Sequence, residues 1–274
     1  MGPRIGIIAG AGQFPLRALE MAKTRGYTCV VAGIRGETLP ELKLRADAFE
    51  WFGREDMVKL LAFFKSQDVG ETVLVGKVEP RILFQKESQD EALSRILARA
   101  KDRRPTSVLN SFIGFLASQG IAVKDPGFLL EPYFCPEGVL TRSPLSPQIL
   151  EEIEFGWAQA KVVADLDIGQ TVIVKDKAIV AVEALDGTDE TIARAGRLAG
   201  EAVVAIKVGR TDQDMRIDVP AVGLETLKSL AKVRAAALVF EAFKVLFFEK
   251  EEALALAEAN KIAVVARSEG SPYG

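Results

Sequence analysis

Residues 207–223 place an acid, Asp218, directly before Val219 and Pro220, with Lys207, Arg210 and Arg216 close in sequence. A carboxylate among cations suits a metal ligand, or a general base beside a bound phosphate. A solvated salt-bridge cluster would use the same residues. Pro220 has no amide hydrogen, which predicts a strand through 216–218 that stops at this point. A second group follows the apolar run 179–182: Glu183, Asp186, Asp189 and Glu190 surround Gly187 and Thr188. Glu183 and Asp186 could face a metal, and Thr188 with its neighbouring amides could hold a phosphate. Thr188 as N-cap, with two acids in the first helical turn, explains the pattern equally well. Lys207 closes another apolar strand, where it is either an ordinary surface lysine or the cation that neutralises a diphosphate.

A third group opens the chain. Gly10-Ala11-Gly12-Gln13-Phe14-Pro15 follows an apolar run and precedes a helical pattern. Glycines at such a turn let backbone amides approach a phosphate or ribose, with the helix dipole in support. A dinucleotide site wants glycine where Pro15 stands, and an acid closing the second strand. That strand closes on Ala32-Gly33-Ile34-Arg35 instead, so NAD is disfavoured and a looser nucleotide site is not. Gly76-Lys77-Val78-Glu79-Pro80 follows a further strand and would lie at the same carboxyl edge, where open α/β sheets bind ligands.

What is missing narrows the chemistry. The chain has no histidine, which removes Ser-His-Asp and Cys-His catalysis and the usual neutral-pH base. Proton and metal chemistry then falls to carboxylates and lysines, and oxygen ligands suit a hard cation such as Mg2+. A net charge of −3 argues against nucleic acid as a partner. Cys29 and Cys135 are the only cysteines and stand far apart, so a cytoplasmic protein without a disulfide framework is expected. No run approaches the roughly 20 apolar residues that span a bilayer.

The elements that must position these residues read as two α/β halves. Strands are expected at 4–9, 27–34, 46–52 and from 71 or 72 to 78, with helices at 16–26, 55–64, 90–100 and 107–118. This alternation predicts a parallel sheet covered by helices. Seven prolines and glycines break residues 126–147, so the stretch 131–145 reads as a linker between domains at 1–130 and 146–274. A helix at 147–165 and a hairpin at 171–175 and 178–184 follow. Helices from 188, 224 and 250, and strands at 202–208, 236–240, 245–248 and 262–266, complete the second half.

Together, Gly10–Pro15, Gly76–Val78, 136–141 (Pro-Glu-Gly-Val-Leu-Thr), Val182–Ala184 with Gly187–Asp189, 218–223 (Asp-Val-Pro-Ala-Val-Gly) and Phe240–Ala242 resemble one bacterial family nearly end to end. It is the UDP-2,3-diacylglucosamine pyrophosphatase family of lipid A biosynthesis, of the type unrelated to calcineurin-like phosphoesterases. One departure is Phe243, where the resemblance implies glycine. The resemblance implies a Rossmann-like, UDP-binding N-terminal domain and a C-terminal catalytic domain of unusual fold, with substrate between them. It also implies Mg2+-dependent hydrolysis to 2,3-diacylglucosamine 1-phosphate and UMP, a homodimer, domain swivelling, and peripheral contact with the inner membrane. Its essential aspartate corresponds to Asp218, as Mg2+ ligand or water-orienting base. The other assignments rest on residue type and position and not on the resemblance: Glu183, Asp186 and Asp189 become supporting metal acids. Gly187, Thr188 and Lys207 become diphosphate contacts, and Ala11, Gly12, Gln13, Gly76 and Lys77 line the uridine side. Phe128, Leu129, Leu130, Phe243, Leu246 and Phe247 are candidates for the acyl lining, although core is the simpler role for each. Two rival readings use the same residues: an NADP-dependent oxidoreductase with Arg35 on the 2′-phosphate, and a UDP-sugar-binding protein without catalysis.

Overall fold

The computed structural model describes residues 2–53, 55–78 and 91–270. Glu79 and Pro80 of the second expected ligand loop, and the expected helix start at Asp90, lie outside the described residues. The chain divides into two compact units. One runs up to Glu131 and takes in Asp214–Asp218; the other comprises Pro132–Gln213 and the chain from Val219 onward.

In the first unit, β1 (Arg4–Ala9), β2 (Thr28–Ile34), β3 (Ala48–Phe52), β4 (Glu71–Val75) and β5 (Ala122–Val123) form a parallel sheet in the order β3-β2-β1-β4-β5. Ile7 and Ile8 of β1, and Val30, Val31 and Ala32 of β2, are all buried. Such unbroken apolar runs suit parallel strands covered on both faces. α1 (Phe14–Thr24) starts with Pro15 in its first turn, where the missing amide costs nothing, and buries Leu16, Ala18, Leu19 and Ala22. α3 (Met57–Ser66) and α5 (Pro105–Ser118) bring Leu60, Leu61, Phe64, Ile113 and Leu116 against Ile8, Val30 and Ala32. α2 (Glu41–Arg45), α4 (Glu91–Arg99) and α6 (Gly127–Leu130) are shorter. Ile217 packs against this same core, which is why the distant segment Asp214–Asp218 belongs to this unit.

The second unit is a mixed sheet in the order β6-β13-β11-β9-β7-β8. Its strands are β6 (Gly138–Val139), β7 (Thr171–Lys175), β8 (Ala178–Val182), β9 (Val204–Lys207), β11 (Ala237–Glu241) and β13 (Ala263–Arg267). β9, β11 and β13 are parallel, flanked by antiparallel β6 and β7. β10 (Ala221–Val222) and β12 (Leu246–Phe247) pair separately. Alternation along each strand sorts the side chains onto two faces. Ile173, Ala205, Leu238, Phe240 and Val264 meet α8 (Thr188–Ala199), α9 (Leu224–Lys232) and α10 (Lys250–Ala259). Val172, Val174, Ile206, Val239 and Val265 meet Ile153, Trp157 and Ala160 of α7 (Pro147–Asp165). Ser146 caps α7 by accepting from Ile149 N at 3.3 Å. The β7–β8 turn places Asp176 and Lys177 at φ 50° and 55°, the left-handed pair that a two-residue hairpin demands, without the usual Asn-Gly.

The structure corrects several sequence expectations. Residues 216–218 are not a strand. The Asp214 carboxylate accepts from Arg216 N at 3.0 Å, and Ile217 N donates to Asp214 O at 3.1 Å, so the chain turns locally. Pairing begins after the proline instead of ending at it: Pro220 O accepts from Leu246 N beside β10. Gly187, not Thr188, is the N-cap of α8. Residues 131–145, expected to link the halves, contain β6, which borders β13.

Candidate functional site

In the first unit the two glycine loops meet at the carboxyl ends of β1 and β4. Gly10 N donates to Val75 O, and Ala11 and Lys77 exchange backbone hydrogen bonds at 2.7 and 3.1 Å. The contact needs glycine on both sides. A Cβ on Gly10 would stand 2.5 Å from Lys77 O, and one on Gly76 would stand 2.7 Å from Ala11 O. β1 is also where the strand order reverses, with β2 on one side and β4 on the other. Open α/β sheets bind ligands at such a switch point. The Ala11 amide is thus spent inside the turn, while Gly12 and Gln13 are exposed, with Gly12 at φ +89° and open space around its Cα. Arg35, the residue an NADP site would use, donates to Trp51 O at 3.2 Å.

In the second unit a row of polar side chains runs along the carboxyl edge of the parallel strands. Lys207 ends β9, Glu241 ends β11 and Arg267 ends β13; Thr171 opens β7 opposite Lys207, and Glu183 follows β8. The pleat divides this row. Glu183, Thr171 and Lys207 share the face covered by α8, and Glu241 and Arg267 share the face covered by α7.

On the α8 face, the Lys207 ammonium donates to Thr188 Oγ1 at 2.7 Å, and the Thr188 hydroxyl donates to Glu183 Oε1 at 2.7 Å. Burial alone would push the Glu183 carboxyl up. The Lys207 charge and the hydrogen bond from Thr188 outweigh it and hold the group below the usual carboxylate range. Even so, neither Thr171 Oγ1 nor Glu183 Oε2 completes a well-formed hydrogen bond, although both are buried.

On the α7 face, Glu241 is 3% exposed and is the hub of the network. It accepts from Gly209 N at 2.9 Å and from Lys161 Nζ at 3.3 Å, and pairs with Lys244 Nζ at 2.9 Å. Lys161 also donates to Gly209 O, and Lys244 donates to Arg210 O, so Glu241 fixes the backbone that leaves β9. Beyond it, Arg210 pairs with Asp167, and Thr211 donates to Asp165 through both its amide and its hydroxyl. Arg267 lies 5.0 Å over the Trp157 ring and forms a two-pronged pair with Glu154.

The remaining expected acids are separate from these clusters. Asp186 accepts from Ala184 N at 2.9 Å and from Arg194 at 2.8 Å, contacts that overcome its partial burial and lower its pKa. Asp189 accepts from Ser229 at 2.9 Å. Asp218 is exposed and belongs to the first unit, whereas Glu183, Asp186 and Asp189 belong to the second. Among the described residues, no three His, Cys, Asp or Glu side chains gather to hold a metal ion. Mg2+ needs less, since it is often held by one or two carboxylates plus substrate phosphates. Among the described residues, no helix is long and apolar enough to cross a membrane. Of the proposed acyl lining, Leu129, Leu130, Leu246 and Phe247 are core; Phe128 stacks near Tyr27, and Phe243 is exposed.

Sequence models of the LpxI N-terminal and C-terminal domains match residues 4–133 and 136–265. The chain belongs to the LpxI family. It is 23% identical over 266 residues to the UDP-2,3-diacylglucosamine pyrophosphatase LpxI of Caulobacter vibrioides, covering 93% of this chain and 94% of that protein. The junction between the two LpxI domain matches falls within a few residues of the break between the two units at Glu131 and Pro132.

Sequence reasoning did not single out Thr171, Lys161, Lys244, Arg267 or Glu154, and it used Glu241 only as part of a resembling motif. Glu241 carried a signal, an acid closing a wholly apolar strand. Lys161 and Glu154 carried none, because their meeting with β11 and β13 depends on which sheet face α7 covers.

Proposed function

We propose that this chain hydrolyses the diphosphate of UDP-2,3-diacylglucosamine to 2,3-diacylglucosamine 1-phosphate and UMP in lipid A biosynthesis. The supporting observation is the match of both LpxI domains along nearly the whole chain, with a relative whose name states that substrate. Water adds to one phosphorus and the bridging P–O bond breaks; the other phosphate leaves with the bonding electrons, and the protons of water pass to solvent. Exposed Gly12 and Gln13, beside Ala11, Gly76 and Lys77 at the switch point of the first sheet, receive the uridine side. Lys207 and Thr188, with the amides following Gly187, neutralise diphosphate oxygens. Their contact with Glu183 orients the ammonium, and this makes Glu183 a positioning acid in place of a metal ligand.

Asp218 is the acid we assign to Mg2+ and to the attacking water. When bound, Mg2+ would supply neutralisation of charge developing on the phosphoryl oxygens. Asp186 and Asp189 take no part in that assignment, since Arg194 and Ser229 already hold them. We place the protein in the cytoplasm as a homodimer, touching the inner membrane peripherally where its lipid-linked substrate resides. The test is UMP release from UDP-2,3-diacylglucosamine by the purified chain with Mg2+ and with EDTA. UMP in the first case and none in the second is expected; no UMP in either contradicts the proposal.

A further inference from the structure

The turn between β11 and β12 carries a phenylalanine in a conformation that phenylalanine avoids. Phe243 sits at φ 59°, the left-handed region where a bulky side chain is a true outlier. The residue is 62% exposed, so core packing does not repay the strain. The turn around it is rigid. Ala242 N donates to Arg267 O at 2.8 Å, Phe243 N to Cys135 O at 3.0 Å and Val245 N to Glu241 O at 3.0 Å. The next side chain, Lys244, is tied to buried Glu241 at 2.9 Å. Strained residues that surrounding contacts over-determine cluster at functional sites; of the nine non-glycine residues at positive φ among the described residues, Phe243 is the one aromatic. This one stands at the carboxyl edge of the second sheet, one turn beyond Glu241, on the edge where open sheets take ligands.

We propose that Phe243 is a substrate-contacting residue whose ring meets the acyl portion of the substrate, an assignment that rests on the activity proposed above. The ring has no hydrogen-bonding group and offers hydrocarbon only, while the uridine side is assigned to the loops of the first unit. Held on a fixed turn, it loses little conformational freedom on contact.

The experiment compares wild type, Phe243→Gly and Phe243→Asn on UDP-2,3-diacylglucosamine with long acyl chains and on an analogue with short ones. Both replacements are at ease at positive φ, so the melting temperature stays within a few degrees of wild type. KM for the long-chain substrate rises about tenfold, the scale of one phenyl ring leaving hydrocarbon, with kcat nearly kept. KM for the short-chain analogue stays at the wild-type value. Unchanged KM on the long-chain substrate, or an equal rise on both substrates, overturns the acyl contact. In either case UMP release by wild type leaves the activity standing; a wild type that releases no UMP removes both.

Discussion

Lys207 Nζ and Glu183 Oε2 stand 3.9 Å apart, with side chains only 8% and 12% exposed, and the Thr188 hydroxyl joins them. Two charges this far from water depend on each other, because removing one strands the other in a poorly solvated place. Lys207→Met is expected to cost roughly 3–5 kcal/mol in urea unfolding, the scale of a broken buried pair. Lys207→Met combined with Glu183→Gln should regain most of that loss. Additive losses in the double variant would show that the pair is not coupled.

Glu183 also makes stability depend on pH. Its pKa is lowered in the folded state, so its contribution is full above the unfolded value of about 4.3 and is lost as pH falls through the folded value. Wild type should therefore lose melting temperature more steeply than Glu183→Gln below about pH 5. Parallel curves down to pH 3 would contradict the lowered pKa.

The glycine loops of the first unit separate close approach from backbone strain. Gly10→Ala puts a methyl 2.5 Å from Lys77 O, and Gly76→Ala combines a 2.7 Å contact with φ +89°. Gly12→Ala meets no atom within 4 Å and bears only the positive φ, about 1–2 kcal/mol. Thermal melts should rank Gly12→Ala as the mildest of the three. Equal losses would mean that the Gly10–Lys77 crossing is not packed as described.

Neither cysteine should behave as a reactive thiol. Burial, with help from Asp47, pushes Cys29 up to about 11, and burial also raises Cys135. A chromogenic disulfide reagent at pH 8 should find almost no thiol in the native protein and both after denaturation. Rapid native labelling would refute this.

Much of the fold was legible because its signals are local. Unbroken apolar runs gave β1, β2 and β9, and the helix expected at 147–165 has the bounds observed for α7. The segment 216–218 was misread because its conformation is decided by Asp214 folding back on Arg216 and by Ile217 entering a core distant in sequence. Thr188 was visible as a polar residue opening a helix. Its link to Lys207 was not, because that contact joins β9 to the start of α8 across the sheet. The Glu241 network was hidden for the same reason: Lys161 comes from α7 and Gly209 from the segment after β9, both distant in sequence. Phe243 stands out in sequence only as bulk where glycine was expected, and the structure gives the reason as a positive φ.

Turnover by Asp218→Ala decides whether Asp218 has the role assigned to it in phosphoanhydride hydrolysis. The residue is exposed, so the variant should melt within a few degrees of wild type and still bind UDP-2,3-diacylglucosamine. UMP release should fall by at least about a hundredfold. Turnover close to wild type, in a variant equally folded, would contradict the assignment.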